Sequence, residues 1–293
     1  LLASTAPRLA HSHKVLVPYC TSDAHMGEVE AFGKLFHGAA VVRAVLHELV
    51  SAHGLGSRGR ARLLFGGVSA GARGAMVHLD YVRAMLPLDE AAKQRVEVRG
   101  YLDSALWLDR QPLKPEPPSF FGLANATRQV FALTNASGHL GAECAARYPG
   151  DEAWRCLFGE YRLPLVQTPY MLVGAQFDTY QLDHNFGGCG HWSCYPSNDE
   201  QMHFAMDLAN ATARLARSLA VGERYVYSSR CHRHATSLND EDFFMSGCGG
   251  TSLERALLTF LERPDALPQA WIDQDCEGFD CCCRPVERRP VAP

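Results

Sequence analysis

The sequence predicts an α/β fold, a doubly wound and mostly parallel sheet with helices on both faces. Short apolar runs alternate along the chain with stretches whose apolar residues recur at helical spacing, which is the pattern of repeated β-α units. The 293 residues are 47% hydrophobic and 20% charged, enough to bury a real core. Neither an internal repeat nor a linker divides the sequence. We therefore expect one domain over residues 1–293, ending in a Cys-rich tail at 275–293.

Local patterns of apolar residues and chain breakers place each element. Strands are predicted where short apolar runs occur, at 14–19, 61–68, 96–103, 168–178 and 224–232. Helices are predicted where apolar residues recur every three to four positions, at 38–50, 72–86, 123–163, 202–220 and 251–263. Two stretches are predicted to be irregular, because prolines interrupt 110–120 and glycines and cysteines interrupt 184–194.

Composition excludes several classes of partner. The 28 Lys and Arg residues are fewer than the 32 Asp and Glu residues, which gives a formal net charge of −4. A protein that binds the phosphates of a nucleic acid needs an excess of Lys and Arg, so we expect no nucleic-acid partner. No window reaches the ~18 consecutive apolar residues that span a bilayer, so we expect no membrane span.

Eleven cysteines indicate either an oxidising compartment or a metal site. Three N-x-[ST] tripeptides, at Asn125, Asn135 and Asn210, are N-glycosylation candidates and favour the first interpretation. We therefore expect a secreted protein, extracellular or in a cell wall. The first ten residues lack an initiator Met and the layout of a signal peptide, so we also expect that an N-terminal piece is missing.

A candidate nucleophile lies between the second predicted strand and its helix. Gly67-Val68-Ser69-Ala70-Gly71 is a G-x-S-x-G sequence, and a sharp strand-to-helix turn needs small neighbours around a strained serine. Such a turn exposes the Ser69 hydroxyl and directs the Ala70 amide into the same space, as one donor of an oxyanion hole. The alternative is a Gly-rich turn with an incidental serine.

A serine of this kind needs a histidine base and a carboxylate that orients it. Asp178 ends one predicted strand, with Asp183 as the alternative acid, and a Cys-His-Arg-His sequence follows the next strand. The pattern does not choose between His232 and His234. Because an open parallel sheet binds its ligands at the carboxyl ends of its strands, we expect these residues to meet Ser69.

Several segments, taken in order, resemble those of one enzyme family. VPYCTSDAHMGE (17–28) is similar to a Tyr-Cys-Ser/Thr-x-Asp segment, and LLFGGVSAGARGAMVHLDYV (63–82) to a nucleophile elbow. VRGYLDSALWLD (98–109) resembles an Asp-Ser-Gly-aromatic stretch, with Ala105 where Gly is usual, and FDTYQL (177–182) a segment that holds a catalytic Asp. The family is that of the pectin acetylesterases and Notum carboxylesterases, which implies an α/β-hydrolase-like fold.

The resemblance implies a Ser69-Asp178-His234 triad. It selects Asp178 as the acid, and it selects His234 as the base because the family's catalytic His lies three residues after a Cys, as His234 does after Cys231. The implied reaction is ester hydrolysis through an acyl-enzyme, with no metal or organic cofactor. In the family an upstream Gly-Gly-Trp-Cys segment supplies further oxyanion amides. This chain begins too late to contain that segment, which leaves Ala70.

The resemblance implies two substrate classes. We expect O-acetyl esters of extracellular polysaccharide, because short-acyl esterases are the more widespread members. A Notum-like deacylase that removes a long acyl chain from a protein is the alternative. A non-catalytic member that binds a glycan, with an incomplete oxyanion hole, is a further alternative.

Sequence spacing suggests three local disulfides, namely Cys144–Cys156, Cys189–Cys194 and Cys231–Cys248. Because eleven is odd, at least one cysteine lacks a partner, and Cys20 or one of 281–283 is the best candidate. A rival use is zinc binding by Cys189, His191 and Cys194, or by Cys231, His232 and His234 with Cys281, Cys282 and Cys283. These spacings lack the paired C-x₂₋₄-C knuckles of structural zinc sites.

Overall fold

The computed structural model describes residues 9, 11–57, 59–113, 122–187, 194–238, 240–244, 247–262, 268–274, 276–281 and 283. The strands among these residues are β1 (Val29–Ala31), β2 (Lys34–Phe36), β3 (Ala61–Val68), β4 (Val96–Asp103), β5 (Tyr170–Val173), β6 (Phe177–Asp178), β7 (Arg224–Ser228), β8 (His232–Arg233) and β9 (Ala270–Ile272). The α-helices are α1 (Gly38–Ser51), α2 (Ala70–His78), α3 (Val82–Met85), α4 (Glu90–Lys93), α5 (Leu123–Thr134), α6 (Ala142–Arg147), α7 (Gly159–Arg162), α8 (Thr179–Phe186), α9 (Asp199–Leu219), α10 (Asp240–Phe244) and α11 (Leu253–Glu262).

A five-stranded parallel sheet lies at the centre, in the order β3-β4-β5-β7-β9. The predicted α/β fold with a mostly parallel sheet is therefore confirmed. The register aligns the carboxyl ends of the strands, with Val68 opposite Asp103, Asp103 opposite Val173 and Val173 opposite Tyr227. The segments that follow these strands consequently leave the sheet at one edge.

Helices cover both faces of this sheet. Neighbouring side chains of a strand point to opposite faces of the sheet. The side chains on the two faces pack into two different apolar clusters. One cluster joins α1, α2 and α9 to one face and includes Leu102, Leu172 and Val226. The other joins α10 and α11 to the opposite face and includes Tyr101, Met171 and Tyr225. Burial on both faces is why β5 is continuously apolar, and β4 is buried along nearly its whole length although it carries Glu97, Arg99 and Asp103.

Two small sheets lie outside the central one. β1 and β2 form an antiparallel hairpin. β6 and β8 are parallel, with Phe177 opposite His232 and Asp178 opposite Arg233. This second pairing places the segment after β8 beside the end of β6.

The predicted strand at 14–19 is wrong, since these residues form neither helix nor strand. Val15 and Leu16 are 51% and 73% exposed, so this apolar run is not buried against a neighbouring strand. The hairpin β1–β2 and the short strand β9 were not predicted, because three residues give too little periodicity to identify a strand.

The helix predictions at 38–50, 202–220 and 251–263 are confirmed with shifted ends, and the predicted helix at 72–86 is divided into α2, a 3₁₀ turn and α3. α9 begins at Asp199 rather than at 202, because the Asn198 side chain caps it by accepting a hydrogen bond from the Gln201 amide. The predicted helical stretch 123–163 is broken into α5, α6, α7 and intervening 3₁₀ turns. Gly141, with a φ of 79°, lies at one of these breaks. Residues 114–120 of one predicted loop and 188–193 of the other lie outside the described residues.

The disulfides confirm one predicted pair and correct another. Cys144 and Cys156 are bonded, as predicted. The predicted Cys231–Cys248 pair is wrong, because Cys231 bonds to Cys283, 52 residues away. β7 and β9 are neighbours in the sheet, so the chain beyond β9 returns to the segment beyond β7.

The other cysteines fall into three groups. Cys276 bonds to Cys281, in the described part of the expected Cys-rich tail. Cys194 and Cys248 are disulfide-bonded, but Cys189 lies outside the described residues, and with it the predicted Cys189–Cys194 pair. Cys20 is free and exposed. The zinc alternative loses Cys231, Cys281 and Cys283, because sulfurs in disulfides are not thiolate ligands.

No helix in the described part of the chain combines the length and the apolar character that crossing a membrane requires.

Candidate active site

Ser69 occupies a sharp turn between β3 and α2. Its φ of 54° and ψ of −119° are strained for a residue with a side chain. A Cβ on Gly67 would lie 2.3 Å from the carbonyl carbon of Gly71, so the turn closes only with glycine at 67. The Ser69 amide donates a hydrogen bond of 2.8 Å to the main-chain oxygen of Asp103 at the end of β4. Sequence and sterics together therefore present the serine at the carboxyl edge of the sheet.

His234 lies between Ser69 and Asp178. Its Nε2 is 2.8 Å from the Ser69 Oγ, and its Nδ1 is 2.8 Å from Asp178 Oδ2. The side chains of His234 and Asp178 are only 5% and 6% exposed. With the neutral imidazole protonated at Nδ1, Nδ1–H donates to the carboxylate and Nε2 accepts the serine proton.

The small β6–β8 sheet positions this acid and base. Asp178 ends β6 and caps α8, where its Oδ1 accepts a hydrogen bond of 2.9 Å from the Gln181 amide, which leaves Oδ2 for His234. Asp183, the alternative acid, lies farther along α8. His232, the alternative base, packs against the ring of Tyr195 instead.

The electrostatic environment raises the pKa of His234 above its ordinary value. Burial alone lowers it, but the charge of Asp178 and its hydrogen bond outweigh that effect, and the charge of Asp103 adds to them. An imidazole with a raised pKa takes up the serine proton more readily. The arrangement can therefore perform general-base chemistry on Ser69.

Ala70, the predicted oxyanion donor, is the first residue of α2. The first amides of a helix have no partner within the helix, and the helix dipole favours negative charge at that end. The Ala70 N–H is therefore available for an oxygen that becomes negative beside Ser69.

A buried polar network links Asp103 to the histidine segment. Asp103 Oδ2 accepts hydrogen bonds from the amide and hydroxyl of Ser237, at 2.7 and 2.5 Å, and Oδ1 accepts one from the Ser104 hydroxyl at 3.0 Å. The Ser104 Oγ accepts another from the Ala235 amide at 2.9 Å. Burial raises the pKa of Asp103, and the Ser237 and Ser104 hydrogen bonds oppose that rise. Asp103 and Ser104 lie in the segment 98–109, which resembles a family segment, but their hydrogen bonds to the histidine segment were not predicted.

Aromatic rings continue from His234 along one side of the site. The Tyr180 ring stacks on the His234 ring at 5.4 Å between centroids, and Trp107 stacks on Tyr180 at 5.2 Å. The guanidinium carbon of Arg73 lies 4.8 Å from the Trp107 centroid. None of these three residues was predicted, because local sequence does not indicate which distant rings will stack on each other.

The comparison with known families gives the same assignment as the sequence resemblance. The family described as Pectinacetylesterase matches residues 3–277. The chain belongs to this family.

Curated relatives include both branches of the family. Palmitoleoyl-protein carboxylesterase NOTUM of Drosophila melanogaster is 34% identical over 183 residues, which cover 60% of this chain and 26% of the relative. Pectin acetylesterase 7 of Arabidopsis thaliana is 26% identical over 185 residues, covering 61% of this chain and 43% of the relative. This pectinacetylesterase-family chain thus aligns with less than half of either relative.

A solved structure has the same fold. The Wnt deacylase Notum from Drosophila superposes with a TM-score of 0.77 at 27% identity, covering 94% of this chain and 75% of that chain. The resemblance to the family and the α/β-hydrolase-like fold that it implies are therefore confirmed.

The glycosylation candidates of this family member differ in their surroundings. Asn135 and Asn210 are exposed, whereas Asn125 is partly buried on α5. The Ser137 hydroxyl of the second tripeptide donates to Asn135 Oδ1. Thr127 of the first tripeptide is 1% exposed. Their use by a glycosylating cell stays a prediction.

Proposed function

We propose that the chain is a serine carboxylesterase that hydrolyses O-acyl esters, chiefly O-acetyl esters of extracellular polysaccharide, through an acyl-enzyme. The observation that carries the proposal is the continuous hydrogen-bonded path from Ser69 through His234 to Asp178, with 2.8 Å at each step. The membership of the pectinacetylesterase family supports the same reaction class.

In the proposed first step Ser69 Oγ attacks the ester carbonyl and its proton moves to His234 Nε2. Asp178 Oδ2 stabilises the imidazolium that forms, and the Ala70 N–H donates to the developing oxyanion. When the carbon–oxygen bond to the alcohol breaks, His234 returns the proton to the leaving oxygen. A water molecule, activated by the same imidazole, then hydrolyses the acyl-Ser69 ester and releases the acid.

A short acyl group takes its support from the family description and from the relative named pectin acetylesterase 7. The alternative, removal of a long acyl chain from a protein, takes its support from the names of the Notum relatives. Comparing kcat/KM for acetyl and octanoyl esters of one alcohol separates the two, with the acetyl ester expected to be faster.

The decisive variant is Ser69→Ala. It should abolish turnover of p-nitrophenyl acetate while the melting temperature stays close to that of the wild type. Ser218→Ala, an exposed serine on α9, is the matched control and should retain full turnover. Turnover that survives in Ser69→Ala would contradict the proposal. Binding of an acetylated polysaccharide with no release of acetate by the wild type would favour the non-catalytic alternative.

We further propose that the protein is extracellular. The described residues contain disulfides between Cys144 and Cys156, between Cys231 and Cys283 and between Cys276 and Cys281. Structural disulfides of this kind persist in oxidising compartments. Detection of the natural protein in the culture medium, with N-glycans at Asn135 or Asn210, would test this location.

A further inference from the structure

Three residues in left-handed backbone conformations surround the candidate triad. Ser69, Ser104 and Ala235 have φ values of 54°, 62° and 62°. A side chain makes such a conformation unfavourable, so it persists only where surrounding contacts impose it. The closed turn of the elbow explains Ser69. Neither Ser104 nor Ala235 has a neighbouring glycine, so contacts elsewhere in the fold must impose their conformations.

Ser104 is a fixed point at the carboxyl end of β4. It is 1% exposed and directly follows Asp103, the last residue of the strand. Its amide donates to the Val173 carbonyl oxygen at 2.8 Å, so the neighbouring strand β5 holds the backbone of Ser104. Its hydroxyl donates to Asp103 Oδ1 at 3.0 Å, which sets the orientation of that hydroxyl.

The oriented hydroxyl keeps its lone pairs for the Ala235 amide. A hydroxyl has one proton to donate, and with that proton directed at Asp103 the Ser104 Oγ accepts the Ala235 N–H at 2.9 Å. Donation to a carboxylate polarises the oxygen and strengthens the hydrogen bond that it accepts. Ser104 therefore binds the residue after His234 to the end of β4.

The Ala235 amide belongs to the peptide group that follows His234. Because this peptide group is planar, a hydrogen bond to its N–H also fixes the orientation of the backbone at the Cα of His234. That orientation sets the direction in which the imidazole leaves the main chain. Without the hydrogen bond, Ala235 would gain free energy by moving to a negative φ, and the movement would turn His234 relative to Ser69.

We propose that Ser104 is a positioning residue for the candidate base: its hydroxyl holds Ala235 in the left-handed conformation that directs the His234 imidazole at Ser69. Ser104 acts through Ala235 and not on the substrate. The inference deepens the proposed esterase function and rests on it, because it takes His234 as the base. It is distinct from the hydrogen bonds that join Asp103 to Ser237.

Two substitutions at Ser104 separate the hydroxyl from the backbone. Ser104→Ala and Ser104→Gly both remove the hydroxyl, and only glycine also removes the strain at this position. Both should lower kcat for p-nitrophenyl acetate by about tenfold to 100-fold, because a displacement of about 1 Å in a reacting group has an effect of this size. KM should stay within about twofold of the wild type, since the contact does not contribute to uniform binding of the substrate.

Ser228→Ala is the matched control. Ser228 ends β7 and is also 1% exposed, but its hydroxyl has no hydrogen-bond partner among the described residues. This substitution should leave kcat and KM unchanged. A fall in kcat equal to that of Ser104→Ala would show that any deleted hydroxyl in the core has the same effect, which would overturn the inference.

Ala235→Gly distinguishes positioning from a role in stability alone. Glycine adopts a positive φ without a steric cost, so position 235 no longer needs the Ser104 hydroxyl to hold that conformation. Adding Ser104→Ala to Ala235→Gly should therefore lower kcat by a much smaller factor than Ser104→Ala does in the wild type. Equal factors in the two backgrounds would contradict the coupling and overturn the inference.

Crystal structures of the variants separate this inference from the proposed function. The distance from His234 Nε2 to Ser69 Oγ is 2.8 Å here. It should lengthen beyond hydrogen-bond range in Ser104→Ala, or in Ser104→Gly if the alanine variant does not fold, and it should be restored in the double variant. An unchanged distance would overturn the role of Ser104 while esterase activity stands. If the wild type hydrolyses no ester, the esterase proposal fails, and the distance then decides the positioning role by itself.

Discussion

The main-chain oxygen of Asp103 accepts a hydrogen bond of 2.8 Å from the amide of Ser69. The carboxylate of the same residue accepts two hydrogen bonds from Ser237, three positions after His234. One residue at the end of β4 therefore connects the candidate nucleophile to the segment that carries the candidate base. We expect Asp103 to act by holding these two segments together and through the effect of its charge on the pKa of His234.

Asp103→Asn tests this connection. The amide keeps the shape but loses the charge, and its NH₂ group cannot accept the hydrogen bonds that the carboxylate accepts. We expect a loss of about 1–3 kcal/mol in the free energy of unfolding and a fall of roughly tenfold in kcat/KM. The acid limb of the pH profile should also move to lower pH, because the Asp103 charge helps to raise the pKa of His234. A purely structural role would leave that limb in place.

Asp89→Asn is the control for this substitution. Asp89 is an exposed helix cap that accepts a hydrogen bond from the Ala92 amide, and Asn caps helices about as well as Asp. It should change neither stability nor the pH profile measurably. Equal effects of the two substitutions would contradict a special role for Asp103.

The pKa of His234 predicts the pH dependence of the reaction. The base must be neutral to accept the serine proton, so activity is lost as the pH falls through the pKa of the imidazole. Since Asp178 and Asp103 together raise this pKa above 6.5, the acid limb of kcat/KM for p-nitrophenyl acetate should have its midpoint above pH 6.5. A midpoint at or below 6.5 would show that the two carboxylates do not outweigh burial.

The same shift affects stability with a definite sign. A histidine whose pKa is raised by folding stabilises the folded state fully below the unfolded pKa, and this contribution disappears as the pH rises through the folded pKa. Asp178→Asn removes the negative charge that raises the pKa of His234. The difference in unfolding free energy between wild type and Asp178→Asn, measured by urea denaturation, should therefore narrow as the pH rises above 6.5. If the difference in unfolding free energy does not narrow above pH 6.5, the raised pKa of His234 is contradicted.

The two glycines of the G-x-S-x-G turn should respond oppositely to alanine. A Cβ at 67 would lie 2.3 Å from the backbone carbon of Gly71, whereas a Cβ at 71 meets nothing within 4 Å. Gly67→Ala should cost about 1–3 kcal/mol of stability. Its displacement of Ser69 should cost roughly 100-fold in kcat. Gly71→Ala, within a helix, should leave the melting temperature unchanged or raise it slightly. Equal effects of the two changes would show that the turn is not sterically closed.

Local sequence predicted the parts of the site that depend on neighbours along the chain. The elbow follows from Gly67 to Gly71 together with the predicted strand and helix on either side. Apolar runs predict the strand that ends in Asp178 and the strand that precedes His234. The choice of these two over Asp183 and His232 needed the resemblance to the family, because spacing along a strand end does not decide which side chain turns inward.

Other contacts depend on the order of the strands, which no local pattern contains. Asp103 meets Ser237 across 134 positions because β4 and the segment after β8 end at the same edge of the sheet. Cys231 reaches Cys283 because β9 adds next to β7. The strand prediction at 14–19 was wrong because an apolar run indicates a strand only where the fold buries it. Val15 and Leu16 are exposed in this structure.

The Cys231–Cys283 disulfide should matter more than the Cys144–Cys156 disulfide, in stability and in activity. Cross-links that close longer loops remove more entropy from the unfolded chain. The separations of 52 and 12 residues correspond to about 4 and about 3 kcal/mol.

The two disulfides also differ in their distance from the site. Cys231 is three residues before His234, so removing its bond loosens the segment that holds the base. Cys144→Ala with Cys156→Ala should lower the melting temperature with little change in kcat/KM below that temperature. Cys231→Ala with Cys283→Ala should lower both, as thermal scans and p-nitrophenyl acetate kinetics would show. Full activity in the second variant would mean that the hydrogen bond of His234 to Asp178 and the network of Asp103, Ser104 and Ser237 suffice to hold His234 against Ser69 without the disulfide.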